Sequence, residues 1–184
     1  MMRYELPIFV EIDGISCYIR NKGDYRAVLD TIAALNDPDL SDEEKLKCAL
    51  FIFYENVSEI PDFEKAALKM MDFINCGEED KKEKNNTKIM DWEQDLPVLI
   101  PPINRIIGKE IRLLEYLHWW TFIGAYYEIG ECLFSNIVTI RSKLKSGKPL
   151  DKWERNFVTE NQDLVNIKPR NSEKEQEYLE SFIE

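Results

Sequence analysis

Two of the four tryptophans, two adjacent tyrosines and the only histidine lie together in Leu113-Leu114-Glu115-Tyr116-Leu117-His118-Trp119-Trp120-Thr121-Phe122-Ile123-Gly124-Ala125-Tyr126-Tyr127-Glu128-Ile129. Wound as a helix, this run carries apolar side chains around most of its circumference, so it must be covered on several sides. The charged residues within it leave the run too short to span a bilayer, which needs about 20 apolar residues. The run therefore predicts a central core helix, or a helix that keeps one face for a partner.

The composition is that of an ordinary globular protein. The 184 residues suit one domain or two small ones, and 44% of them are hydrophobic and 32% charged. The formal net charge is -11, which disfavours nucleic acid and anionic membranes because both bind clustered Lys and Arg. We therefore expect protein partners, with no nucleic-acid partner and no membrane partner.

The cysteines and the first residues of the chain predict the compartment. The four cysteines lie far apart, without the paired spacing of a zinc site or a redox motif, so we expect reduced thiols. The first seven residues contain neither the apolar stretch nor the small-residue cleavage site of a signal peptide. Both observations predict a cytoplasmic protein.

The first part of the chain predicts a β-hairpin followed by helices. Hydrophobic residues alternate on both sides of Asp13-Gly14, and Asp-Gly between alternating runs indicates a two-residue hairpin turn. Helix starts are predicted at Asp24 and at the capping box that begins with Ser41. A third helix is expected to have Pro61 in its first turn. The predicted fold is mainly α, with an N-terminal β-hairpin packed on a multi-helix bundle.

A charged run predicts the division of the chain. Residues 78–88 mix both charges and contain no apolar side chain, so they cannot contribute to a core. We expect an exposed loop or linker over residues 78–90, between an N-terminal hairpin-plus-helices part (1–77) and a C-terminal helical part (91–167). The second part is predicted to begin with a kinked or broken helix, because it contains three prolines, and to be arranged around the Leu113–Ile129 helix.

Residues 168–184 predict an acidic amphipathic tail. Most of their charges are negative, and the apolar side chains recur at helical spacing. A short helix in this region can dock onto the same domain or onto a partner, and the sequence leaves both interpretations open. The apolar side of the tail consists of Tyr178, Leu179, Phe182 and Ile183.

The sequence contains no combination of residues that predicts catalysis, a metal site or a cofactor. Glu115 and His118 match the Glu-x-x-His step of di-iron bundles, but those bundles need a second copy, and the chain has one histidine. Phosphate-binding loops, nucleophile elbows and paired cysteines do not occur in it. His118 is therefore expected to be a buried or interface histidine beside tryptophan. We predict that the protein is not an enzyme.

Five strings carry a resemblance to a known family. They are Asp91-Trp92-Glu93-Gln94-Asp95, Asn104-Arg105-Ile106-Ile107-Gly108-Lys109-Glu110-Ile111-Arg112, Tyr116-Leu117-His118-Trp119-Trp120-Thr121-Phe122, Glu128-Ile129-Gly130-Glu131 and Ile140-Arg141. Together they resemble a family from phages and prophages of low-GC Gram-positive bacteria, labelled as the fifteenth gene product of a tailed phage. The resemblance covers about residues 1–167, and Leu-His-Trp-Trp is its most specific part.

The resemblance implies a role in tail assembly. The family is regarded as similar to tail assembly chaperones, which are encoded between the major tail protein and the tape measure protein. It implies a non-catalytic protein that binds the tape measure protein in the host bacterial cytoplasm and assists assembly of the tail tube. The major tail protein and sister subunits of a homo-oligomer are further implied partners. The alternative is a structural tail or head-tail component that is retained in the virion.

A protein-binding role gives the aromatic residues a second interpretation. A chaperone for a helical client would use apolar grooves between helices, and tryptophan is a frequent interface hot spot. Trp119 and its neighbour Trp120 point about 100° apart on a helix, so they fit either a core covered on two sides or a partner contact. The predicted partner-binding residues are Trp119, Phe122, Tyr126, Tyr178, Leu179, Phe182 and Ile183.

Overall fold

The computed structural model describes residues 5–77 and 88–168. Within these residues the chain forms a two-stranded antiparallel hairpin followed by eight α-helices, which confirms the predicted mainly α fold with an N-terminal hairpin. The elements are β1 (Phe9–Ile12), β2 (Ile15–Tyr18), α1 (Tyr25–Leu35), α2 (Asp42–Phe53), α3 (Phe63–Ile74), α4 (Trp92–Ile107), α5 (Trp119–Tyr127), α6 (Leu133–Lys145), α7 (Lys152–Glu160) and α8 (Gln162–Val165).

The described residues form two compact units. The first contains residues 5–77 and 116–120, and the second contains residues 88–115 and 121–168. A short segment from the later half of the chain therefore belongs to the first unit. The predicted linker at residues 78–90 stays a prediction, and its residues 78–87 lie outside the described residues.

The predicted Asp13-Gly14 turn joins β1 to β2. Asp13 and Gly14 have φ angles of 49° and 82°, the positive values that a type I′ turn requires. On one face of the hairpin Ile12 and Cys17 are buried, whereas on the other face Phe9 and Tyr18 are exposed. Phe9 lies directly opposite Tyr18 in the strand pairing. One face thus contributes to the core, and the other presents aromatic rings to solvent.

The helix starts of the first unit are set by local caps. Asp24 accepts a hydrogen bond from the backbone N–H of Arg26 at the start of α1, and Ser41 begins the predicted capping box of α2. At α3 the carboxylate of Asp62 accepts from two backbone N–H groups. Asp62 is therefore the N-cap, and Pro61 precedes the helix instead of occupying its first turn. The largest apolar side chains of this core include Ile19, Phe53, Tyr54, Met70 and Phe73.

The helix predicted to be kinked or broken at its prolines is continuous. α4 runs from Trp92 to Ile107 with three prolines inside it. The Asp91 side chain caps its first turn, and Gly108, at φ 76°, ends it. The buried side of α4 carries apolar residues that pack in the core of the second unit, and tertiary burial of this kind outweighs local propensity.

The predicted helix over Leu113–Ile129 is wrong in its first third. A short 3-10 turn and an extended segment precede α5, which begins only at Trp119. The physical reason is the backbone of Leu117. Its N–H donates to Asp24 Oδ2 at 2.9 Å, and its carbonyl accepts from the N–H of Tyr25 at 2.9 Å. These bonds lie outside any helix and hold Leu117 extended beside the start of α1.

A buried ion pair organises the second unit. Arg141 on α6 donates from Nη1 and Nη2 to the two carboxylate oxygens of Asp95 on α4, at 2.7 and 2.8 Å. The guanidinium also donates to the carbonyls of Ile89, Leu164 and Val165. The side chains of Arg141 and Asp95 are only 4% and 3% exposed. One cation therefore links α4, α6, α8 and the segment that precedes α4.

Candidate functional site

Trp119 and Trp120 cap the end of α3. The indole N–H of Trp119 donates to the carbonyl of Ile74, and that of Trp120 donates to the carbonyl of Phe73, both at 2.9 Å. The last carbonyls of a helix have no partner within it, and the two indoles supply donors to them. The Phe73 carbonyl also accepts from the backbone N–H of Cys76 at 3.0 Å. Trp119 is 1% exposed, and Trp120 is half-buried. The adjacent rings thus bond to adjacent carbonyls of the first unit.

His118 is buried between the N-terminal segment and α5. Its Nδ1 accepts from the backbone N–H of Trp120 at 3.0 Å, and its Nε2 lies 3.0 Å from the carbonyl oxygen of Pro7. Because Nδ1 is an acceptor, Nε2 carries the hydrogen and donates to Pro7, so the imidazole is neutral. Burial lowers the pKa of His118, against the opposing effects of the Pro7 carbonyl and the Asp24 carboxylate. The predicted buried histidine beside tryptophan is confirmed.

Gly23 makes room for this imidazole. Its φ is 78°, and a β-carbon there would lie 2.8 Å from Phe73 Cζ and 3.1 Å from His118 Nε2. Residues other than glycine rarely adopt this φ, and the nearby atoms belong to buried rings. Asn21 and Lys22 also have positive φ, so the chain turns sharply just before the Asp24 cap. The hydroxyl of Tyr116 donates to the carbonyl of Lys22 at 3.1 Å.

Acidification is expected to destabilise the protein through His118. The folded-state pKa of His118 lies below its unfolded value of about 6.5, so the unfolded chain binds the additional proton. The free energy of unfolding should therefore be fully retained above about pH 6.5 and decrease as the pH falls below it. Urea unfolding of wild type and His118→Gln at several pH values checks this. The loss of stability that protonation of His118 causes should be absent from the variant. An identical pH dependence in both proteins would contradict this role of His118.

Phe122 and Tyr126 lie in the second unit. Phe122 is fully buried, and its ring centroid is 6.0 Å from that of Trp92. Tyr126 is half-buried and contacts the rings of Trp92 and Phe134 at 5.5 and 6.0 Å. Burial raises the pKa of its phenol. Both rings thus face residues of their own unit.

The predicted partner-binding role of these residues stays a prediction. Trp119 and Phe122 have almost no exposed surface in this conformation, and part of Tyr126 is accessible. The predicted tail residues Tyr178, Leu179, Phe182 and Ile183 lie outside the described residues. The structure therefore brings Trp119 together with α3, and Phe122 together with Tyr126 and Trp92.

The first unit has an exposed aromatic surface that was not predicted from the sequence. Phe9 and Tyr18 on the hairpin are 42% and 49% exposed, and their ring centroids are 5.9 Å apart. Phe51 on α2 is 67% exposed, and the guanidinium carbon of Arg20 lies 5.9 Å from its ring centroid. We call Phe9, Tyr18, Arg20 and Phe51 the hairpin–α2 surface. The strand alternation that buries Ile12 could have indicated the outward position of Phe9 and Tyr18.

Metal-ligand clusters and membrane-spanning helices are both absent from the part of the chain that the structure describes. Residues 5–77 and 88–168 contain no group of three or more His, Cys, Asp or Glu side chains placed to hold a metal ion. Their helices include none long and apolar enough to cross a membrane. Glu115 and His118 both precede α5, so they do not share a helix face. The four cysteines form no disulfide with one another.

Comparison with known proteins gave one match. A family model described as Bacteriophage Gp15 protein matches residues 2–100, which is more than half of the chain. No curated protein and no solved structure matches the chain. The matched residues include Gly23, Asp24 and the whole hairpin–α2 surface, whereas Trp119 and Trp120 lie beyond them.

Proposed function

We propose that this protein, which belongs to the bacteriophage Gp15 family, is a non-catalytic tail assembly chaperone that binds the tape measure protein. The match to a phage family over residues 2–100 is the observation that carries the proposal. The resemblance of the Leu-His-Trp-Trp region to chaperone-like tail proteins adds the tail-assembly role. The proposed site of action is the host bacterial cytoplasm, before the tail tube is complete.

The physical properties of the chain support a protein-binding role. Its net charge of -11 keeps it soluble and disfavours nonspecific contact with nucleic acid. Three exposed aromatic rings and the half-buried Arg20 form the hairpin–α2 surface, and aromatic residues and arginine are enriched at protein interfaces. The major tail protein and a second copy of this chain are further proposed partners.

A helical client explains why a chaperone would be needed. An amphipathic helix that has not yet found its final partners exposes a contiguous apolar face, and such faces promote aggregation. A binding protein that covers the face with its own apolar side chains keeps the client soluble, and it can be displaced when the tube subunits arrive. This mode of action requires only reversible contacts.

Co-expression tests the proposal. The candidate tape measure protein encoded near this gene is produced with and without this chain, and an unrelated aggregation-prone helical protein serves as the control client. We expect the tape measure protein to become soluble and to co-purify with this chain, and the control client to remain insoluble. A client that stays insoluble or unbound beside a well-folded partner would contradict the proposal.

Mass spectrometry of purified virions distinguishes the alternative function. A chaperone acts before the particle is complete, so we expect it to be far below the stoichiometry of the tail components. Stoichiometric presence in the virion would overturn the chaperone proposal and favour a structural tail or head-tail component.

A further inference from the structure

We propose that the hairpin–α2 surface binds a partner segment that presents aliphatic side chains flanked by lysine or arginine. The proposal deepens the proposed function and rests on it, because it assigns the surface through which the client is held. It also concerns residues outside the set that the sequence predicted for partner binding, which began with the buried Trp119.

The four residues of this surface are contiguous. Phe9 and Tyr18 face each other across the hairpin, with their rings in contact. Arg20 follows Tyr18 by two residues, across the extended residue Ile19, so the two side chains lie on the same side of the chain. The guanidinium of Arg20 then lies over the ring of Phe51. The surface therefore runs from β1 to the end of α2 through Tyr18 and Arg20, which lie two residues apart.

The surface is held in place before any partner arrives. Arg20 donates to the carbonyls of Phe51, Ile52 and Tyr54, at 2.8, 2.7 and 2.8 Å. These carbonyls end α2, and the positive charge of Arg20 also suits the negative end of the helix. The carbonyl of Tyr18 accepts a hydrogen bond from the backbone N–H of Glu55 at 3.0 Å. A partner that binds here orders few additional groups, which favours affinity.

The solvent exposure of these three rings is unfavourable in an isolated protein. Phe9, Tyr18 and Phe51 retain 42%, 49% and 67% of their surface exposed, although each ring can remove a large apolar area from water when it is covered. Aromatic residues and arginine dominate interface hot spots. Aliphatic side chains of a partner would cover the rings and complete their burial.

The carboxylates near the rings indicate that the partner segment is positively charged. Glu11 lies on the same face of β1 as Phe9 and accepts from the hydroxyl of Ser16 at 2.9 Å. Glu55 follows the end of α2 and bonds through its backbone to Tyr18. Both carboxylates are exposed, and the chain as a whole carries -11. Lysine or arginine on the partner would therefore be attracted and oriented by this rim.

Two basic side chains, those of Lys47 and Arg20, lie near Phe51. Lys47 lies one turn before Phe51 on α2, and it pairs with Glu43 at 2.6 Å. The N–H groups of Arg20 that approach α2 are bonded to carbonyls. Glu11 and Glu55 therefore supply negative charge at the edge of the surface, beside the cationic Arg20.

Serine variants of the full chain test the surface. Tyr18→Ser/Phe51→Ser is compared with Leu68→Ser, a control on α3 whose leucine is exposed to the same 67% as Phe51. Circular dichroism and thermal unfolding verify that each variant is folded. We expect the double variant to bind the co-expressed tape measure protein at least tenfold more weakly, and the control to bind within about twofold of wild type.

A charge reversal tests the rim separately. Glu11→Lys/Glu55→Lys is expected to weaken binding about tenfold at low salt and to reduce the salt dependence of the affinity. Wild-type affinity in both double variants, with the wild type bound to its client, would overturn the assignment of this surface and leave the proposed function intact. A wild type that fails to bind would instead overturn the proposed function, and the assignment with it.

Self-association gives a third distinguishable result. Light scattering of the wild type alone shows whether it forms an oligomer. An oligomer that Tyr18→Ser/Phe51→Ser dissociates, while client binding is unaffected, would assign the surface to a second copy and overturn the proposal. A wild type whose mass does not depend on these residues supports it.

Discussion

Replacing Asp95 with alanine is expected to lower the free energy of unfolding by about 3–5 kcal/mol, the usual cost of removing one partner of a buried ion pair. Arg141 would keep its charge in a site where its side chain is only 4% exposed. The backbone N–H of Asp91, which donates to Asp95 Oδ2 at 2.9 Å, would also lose its acceptor. Urea unfolding followed by far-UV circular dichroism measures the loss.

A double variant provides the control for this prediction. Asp95→Leu/Arg141→Met removes both charges and keeps apolar volume, so it should be more stable than Asp95→Ala alone. It should remain below wild type, because the carbonyls that Arg141 bonds, those of Ile89, Leu164 and Val165, would lose their donor. A loss below about 1 kcal/mol in Asp95→Ala would contradict the role given to this pair, because exposed ion pairs already reach that value.

Trp119→Ala is expected to cost about 3–5 kcal/mol, the range measured for truncating a large buried aromatic side chain. The variant leaves a cavity and removes the donor to the Ile74 carbonyl. Trp120→Ala is the matched control, since Trp120 makes the equivalent bond to Phe73 but is only half-buried. The control should lose distinctly less stability.

Trp119→Phe separates a structural role from partner binding. This variant keeps most of the apolar volume and deletes the indole N–H, so we expect a loss of about 1–3 kcal/mol and unchanged client binding per folded molecule. Pull-down of the co-expressed client, normalised to soluble chain, checks the second part. If Trp119→Phe remains folded but binds the client much more weakly, Trp119 contacts the partner directly.

Local signals account for the parts of the fold that the sequence predicted. The Asp13-Gly14 turn, the Ser41 capping box and the Asp24 cap of α1 each depend on residues within a few positions of one another. Local side-chain to backbone bonds of this kind are encoded wherever the residues occur. These predictions therefore hold irrespective of how the units pack.

Long-range bonds account for the main error. The apolar spacing of Leu113–Ile129 indicated burial on several sides, which is correct for Trp119, but it could not distinguish a helix from an extended segment before that residue. The extended form depends on Asp24, which lies 93 residues before Leu117. Asp24 was predicted only as a cap of α1. Nothing in the neighbouring sequence indicates that its Oδ2 accepts from the distant N–H of Leu117. The Asp95–Arg141 ion pair could not be predicted from the sequence for the same reason, since its two residues are 46 positions apart.

The candidate site shows a similar limit. Large aromatic residues in a dense apolar run suggested a binding face, yet the indoles of this run donate to the last carbonyls of α3. Phe9, Tyr18 and Phe51 lie on three separate elements, and only the fold brings them together. Clustering of aromatic residues from separate elements cannot be inferred from periodicity, which describes one element at a time.

Residue-resolved amide hydrogen exchange is the most direct test of whether Tyr116–Trp120 completes the first unit. The N–H of Tyr25 donates to Leu117, and the N–H of Leu117 donates to Asp24. We expect both amides to be protected like the amide of Tyr54, which donates to the Leu50 carbonyl at the end of α2, and to lose protection together in Trp119→Ala. Rapid exchange of both in the wild type, with Tyr54 still protected, would show that the segment is not part of this unit.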